Sequence, residues 1–127
     1  MNKVLNIFLG LFLVVTALAC AQQNQSSSIT MKEFKERLVN DKNLVILDVR
    51  TPEELTGPLG KIDNVINIPI QNLEQRINEL KSYKEKEIIV ICRTQNRSAV
   101  AVNILQSNGY KAKNVLGGMV EFRRKSL

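Results

Sequence analysis

The most uniform apolar stretch of the chain is Ile88-Ile89-Val90-Ile91, four β-branched residues in a row. Such a run reads as a short strand covered on both faces. It stops at Cys92, and the polar series Arg93, Thr94, Gln95, Asn96, Arg97, Ser98 follows. A helical stripe of Val100, Ala101, Ile104 and Leu105 comes next, with Gly109 as its C-terminal cap. Residues 44–47 and 65–68 predict two more strands, and Val115-Leu116 a last one. Between them lie helix signals. Thr30-x-x-Glu33 is a capping box for a helix carrying Met31, Phe34 and Leu38. Thr51-Pro52-Glu53-Glu54 places Thr at the cap, Pro at the first helical position and Glu at the third. Leu73, Ile77 and Leu80 form one face of a helix after Pro69, and Gly117-Gly118 leads into a terminal helix. Strands alternate with helices and there are no repeats. The pattern predicts an α/β fold, a mainly parallel sheet with helices on both faces.

In such a sheet Cys92 stands at the carboxyl end of a buried strand, just before a helix N-terminus. Open α/β sheets bind ligands at that edge. Unpaired N–H groups and the helix dipole favour an anion there. A thiol beside a helix N-terminus and cations ionises readily, with values of roughly 3.5–7.5. Arg93 and Arg97 supply the cations. A buried structural cysteine is the competing reading, but such residues sit inside apolar runs, not where a run meets a doubly cationic loop.

Composition narrows the chemistry. The chain has 127 residues, enough for one ordinary domain, and no histidine. Cys–His and Ser–His catalysis and most zinc sites are thereby excluded. The formal charge is +6, but aromatics are only 5% and no Lys/Arg stripe is interleaved with them, which argues against nucleic acid. No metal or organic cofactor is expected.

The first 19 residues read as a targeting signal: Lys3 gives a positive start, and residues 7–19 are almost wholly apolar yet too short to span a bilayer, which takes ~20 residues. Thr16-Ala17-Leu18-Ala19-Cys20 resembles the lipidation site of bacterial lipoproteins, with Ala17 where that family prefers Leu. Gln22-Gln23-Asn24-Gln25-Ser26-Ser27-Ser28 suits a flexible tether. The division expected is 1–19 signal peptide, 20–28 lipidated cysteine and tether, 29–127 folded domain. The resemblance implies an exported, periplasm-facing protein, anchored through Cys20, with the outer membrane favoured. Ordinary secretion with cleavage near Ala19 is the alternative. With Cys20 acylated, Cys92 is the one free thiol and no internal disulfide can form.

LDVRTPEE, a glycine-containing loop before NVINIPI, IIVICRTQNRSA, and NGYKAKNVLGGMVEF stand in this order over residues 29–124. Together they resemble a single-domain rhodanese, a sulfurtransferase. The resemblance implies a five-stranded parallel sheet flanked by helices and a catalytic Cys92. The backbone amides of Arg93, Thr94, Gln95, Asn96, Arg97 and Ser98 would cradle the sulfur. Four departures stand out. Gly60-Lys61-Ile62 replaces Gly-His-Ile, Asn64-Val65 replaces Gly-Ala, and Phe122 replaces Trp. Gln95 replaces a mid-loop glycine, where a positive φ would suit glutamine poorly.

The implied reaction is ping-pong transfer of sulfane sulfur through a Cys92 persulfide, from a small anionic donor such as thiosulfate to a thiol or cyanide. Arg93 and Arg97 would hold the donor's oxygens. Asp48 and Arg50 could orient substrate; the structural reading pairs Arg50 with Glu53 or Glu54. Arg123-Arg124-Lys125 suit a helix C-terminus better than a lipid headgroup. Gly117-Gly118 lacks the Lys-Ser/Thr of a phosphate loop and reads as a tight turn. The expected state is a monomer. The rivals are a non-enzymatic persulfide carrier or binding module, a cysteine-dependent phosphatase or arsenate reductase, and a redox thiol, which lacks a resolving cysteine.

Overall fold

The computed structural model describes residues 26–124. The signal, Cys20 and most of the tether lie outside the described residues. Five strands form one sheet: β1 (Ser28–Ile29), β2 (Val45–Asp48), β3 (Ile66–Asn67), β4 (Glu87–Ile91) and β5 (Lys111–Val115). Their order is β1-β5-β4-β2-β3, and every neighbouring pair is parallel. The helices are α1 (Met31–Asn40), α2 (Pro52–Leu55), α3 (Leu73–Arg76), α4 (Asn96–Ser107) and α5 (Gly118–Arg123).

The apolar run of β4 serves two cores at once. Ile88 and Val90 pack with Leu47, Leu73, Leu80, Ala101 and Leu105 on one face. Ile89 and Ile91 pack with Ile29, Ile46, Phe34 and Met119 on the other. Successive strand residues point to opposite faces, so a central strand between two helical layers has no polar positions. Each fully buried Ile or Leu contributes about 1.5–3 kcal/mol. Phe122, where the family resemblance leads one to look for Trp, reaches Phe34 with ring centroids 6.0 Å apart.

Local chemistry fixes the ends of these elements, with three differences from the expectation. Thr30 Oγ1 accepts from the Glu33 amide, but the Glu33 carboxylate pairs with Arg37 at 2.7 Å rather than closing the box. The box at Thr51 and Glu54 is complete. The helix after Pro69 is mostly 3₁₀, with turns at Ile70–Asn72 and Ile77–Tyr83 on either side of α3. A 3₁₀ turn sets residues three apart in line, which aligns Ile77 with Leu80. β5 begins at Lys111, four residues before the expected strand, and is held between β4 and a β1 of only two residues. Asn64 has φ 61°, a left-handed conformation that Asn tolerates better than most residues.

Candidate active site

β4 delivers Cys92 to the C-terminal edge of the sheet, as expected, but the residue is 1% exposed. α4 starts at Asn96, so Asn96, Arg97 and Ser98 form its first turn and only Arg93, Thr94 and Gln95 are loop. Gln95 has φ −159°. The angle is negative, so the left-handed conformation that would suit glutamine poorly is not adopted here. Its side chain instead ties the loop down: Oε1 accepts from the Gly117 amide at 3.1 Å.

The loop is held from behind by α5. The Met119 amide donates to Cys92 O at 2.9 Å and the Val120 amide to Arg93 O at 3.0 Å. Across a trans peptide the C=O and the next N–H point in opposite directions. Pulling those carbonyls toward α5 therefore turns the Arg93 and Thr94 amides away from it. Among the described residues, none of the amides of residues 93–98 has an acceptor within the protein. A run of unpaired amides before and in the first turn of a helix has the chemistry of an anion-accepting nest. Gly118 makes the close approach possible. A Cβ there would lie 2.1 Å from Thr94 O, 2.6 Å from Cys92 O and 2.7 Å from Arg93 O. Gly117-Gly118 is the tight turn expected, and it is also the back wall of the site.

The Cys92 sulfur has Ser98 Oγ at 3.2 Å. Ser98 is fully buried and donates to Asn114 Oδ1 at 2.6 Å. Asn114, on β5, donates from Nδ2 to Gln95 O at 3.1 Å. The sequence reading did not single out Asn114. Its signal was period-two alternation: Ala112 and Asn114 share a face of β5, and both are buried.

The two arginines of the nest part ways. Arg97 forms a bidentate pair with Glu54, at 2.8 and 2.7 Å. That contact, with the Thr51 amide behind it, holds the Glu54 carboxyl down at about 2. Glu54 in turn raises Arg97, aided by the nearby Cys92 and Asp48. Arg97 is thus engaged rather than open to a donor's oxygens. Arg93 is exposed and has no ion pair among the described residues. It borders a shallow, mainly apolar recess with Pro58 and Leu59. Arg50 does not pair through Glu53 or Glu54 side chains. It is buried against Asp48, 2.8 Å away, and donates to Gly60 O and Glu54 O. Asn67 Nδ2 donates to Asp48 O and Arg50 O. Asp48 and Arg50 therefore brace the loops that flank the site. Arg123 donates to Leu59 O and Lys61 O, and Arg124 pairs with Glu121.

A buried thiol at the end of a central parallel strand, followed by a run of unpaired amides, marks the class of α/β domain with a cysteine-centred site. The chain belongs to the rhodanese-like family: the rhodanese-like domain matches residues 30–125. It is 35% identical over 109 residues to the "Putative sulfur carrier protein YrkF" of Bacillus subtilis, which covers 84% of this chain. The chain spans 57% of that relative's length. It is 26% identical over 102 residues to a sulfurtransferase of Allochromatium vinosum, covering 80% of this chain and 92% of that one. The crystal structure of a rhodanese-like domain protein from Staphylococcus aureus superposes with a TM-score of 0.66 at 37% identity, covering 79% of this chain and 94% of that one.

Proposed function

We propose that this protein is a thiosulfate-type sulfurtransferase. The Cys92 thiolate attacks the outer sulfur of the donor, the donor's S–S bond breaks, and sulfite leaves with the bonding pair. Cys92 then carries a persulfide. A thiol or cyanide attacks the terminal sulfur and restores the thiolate. The observation that carries the reading is the run of amides at residues 93–98, unsatisfied within the protein, that follows the buried Cys92. A persulfide anion would supply the acceptor they lack. Arg93 is the cation free to meet the donor's oxygens and the departing sulfite, through charge-assisted contacts.

Two features weigh against phosphoryl or arsenyl chemistry. Only four residues separate Cys92 from Arg97, one fewer than in tyrosine-phosphatase-type loops. Arg97, which would have to grip the oxyanion, is held by Glu54. A single added sulfur, on an S–S bond of ~2.05 Å, needs less room than a tetrahedral oxyanion.

The proposal includes an envelope location, with the domain tethered outside the inner membrane by acylated Cys20. The support is the signal and tether pattern of residues 1–28. Stable anchoring needs more than one acyl chain, at ~0.8 kcal/mol per buried CH₂.

Mass spectrometry after incubation with thiosulfate tests the chemistry. A sulfur-sized increment on Cys92, removed by cyanide as thiocyanate, is expected. An increment that never turns over would favour the carrier reading. Robust aryl-phosphate hydrolysis with no sulfur uptake would overturn the proposal.

A further inference from the structure

Arg50, Arg93 and Arg97 all stand at the end of the sheet that carries Cys92, and two of them have a carboxylate of their own. Asp48 lies 2.8 Å from Arg50, and both are buried. Glu54 takes both terminal nitrogens of Arg97: Nη1 donates to Oε2 at 2.8 Å and Nη2 to Oε1 at 2.7 Å. That fork is the part of an arginine that grips the paired oxygens of a carboxylate, sulfate or phosphate. Glu54 is itself fixed. Its Oε2 accepts from the Thr51 amide at 3.0 Å, so the capping box of α2 sets where the carboxylate meets Arg97.

The two pairs differ in reach. The Arg50 side chain is 1% exposed, too deep for a solute to meet. The Arg97 side chain is 32% exposed, and its residue stands directly before Ser98, whose Oγ is 3.2 Å from the Cys92 sulfur. The charge of Cys92 is among the causes that raise Arg97. Of the two engaged guanidiniums, Arg97 is therefore the one that an anion beside Cys92 could use.

We propose that Glu54 is a positioning residue that sets specificity: by occupying the fork of Arg97, it keeps oxyanions that carry no transferable sulfur from settling beside Cys92. A sulfur donor forms a covalent bond with the cysteine and needs charge only to arrive, for which Arg93 remains. Sulfate or phosphate makes no such bond and is held by charge and hydrogen bonds alone. Withholding one guanidinium therefore falls mainly on the anions that would only block the site. To reach Arg97, they must displace a carboxylate that the fold keeps in place at high effective concentration. The inference rests on the reading of Cys92 as the sulfur-accepting nucleophile, but its test is a binding measurement.

Sulfate is the probe, because it is doubly charged at any working pH and donates no sulfur. Its affinity for the full chain is measured by calorimetry at constant ionic strength. Glu54→Gln keeps an oxygen for the Thr51 amide, so α2 stays capped. It should bind sulfate about tenfold more tightly than the unaltered protein, the effect of a regained charge-assisted contact. Glu54→Ala, which leaves nothing to hold Arg97, should show the same gain. Adding Arg97→Gln to Glu54→Gln should abolish it. Glu53→Gln removes the same charge one residue away, from an exposed side chain with no ion pair among the described residues, and should leave the affinity unchanged. Unchanged affinity in the folded Glu54 variants would overturn the inference. So would an equal gain in Glu53→Gln, which would mark a general field effect, or a gain that survives the loss of Arg97. The expected gain in a protein that takes up no sulfur would sink the proposed function and leave the hold of Glu54 on Arg97 standing as the control of anion binding.

Discussion

Gly118 and Gly60 have nearly the same left-handed backbone, with φ +55° and +59°, but quite different surroundings. Gly118→Ala and Gly60→Ala therefore share one cost and differ in another. The shared cost is an alanine in the left-handed region, about 1–2 kcal/mol. At Gly60 the new Cβ meets only the end of the Arg123 side chain, at 3.3 Å, which can move. At Gly118 it meets three backbone oxygens at 2.1–2.7 Å. The loop and α5 have to separate, and the amide bonds from Met119 and Val120 to the loop carbonyls are lost. Two such bonds, with their acceptors left behind in a mostly buried place, are worth about 2–3 kcal/mol together. The expected losses are about 1–2 kcal/mol for Gly60→Ala and about 3–5 kcal/mol for Gly118→Ala. Urea unfolding of both proteins measures the difference through the midpoint. Sulfur uptake at Cys92 reads the second consequence: near normal for Gly60→Ala, and at least tenfold slower for Gly118→Ala even where it remains folded. Equal stability losses at the two positions, or normal uptake by the Gly118 variant, would refute the idea that α5 shapes the nest.

Three further outcomes are expected. The Glu54 carboxyl is lowered from 4.5 to about 2, so the stability it contributes is complete above pH 4.5 and is lost as pH falls toward 2. With the pair about a third exposed, that contribution is about 1–2 kcal/mol after allowance for solvent screening, and Glu54→Gln should flatten the acid limb of a pH–stability curve by this amount. Asp48→Asn leaves Arg50 buried without its counter-charge and should cost about 3 kcal/mol or more, visible as a drop in melting temperature. Arg93→Ala should lower kcat/KM for thiosulfate at least tenfold, the effect of about 1.5–3 kcal/mol for a charged hydrogen bond, with stability unchanged because the side chain is exposed and unpaired.

The sheet was legible because its central strands are buried on both faces and so carry unbroken apolar runs. β5 was legible only at its end. Lys111 and Lys113 point to one face and Ala112 to the other, which hides the strand among polar residues. Cys92 could be placed because strand, loop and helix signals meet there within a few residues. The partners of the charges could not. Arg50, Arg97, Glu53 and Glu54 allow several pairings, and the one formed joins Glu54 to Arg97 across 43 residues. What selects it is the capping box, which folds the Glu54 side chain back to the Thr51 amide and fixes where its carboxylate sits. The doubt about Gln95 came from counting on a glycine conformation. The chain avoids it with a negative φ at that position.

The peptide groups that seat the loop of Cys92 belong to α5, the last helix of the domain, while β1, the first strand, waits for β5. A partly made or C-terminally clipped chain therefore has the cysteine but not the seat. In a chain that crosses a membrane unfolded, N-terminus first, the site would assemble only after the final helix has passed through. On the envelope location proposed above, the compartment in which the cysteine gains its seat would be the one where translocation ends.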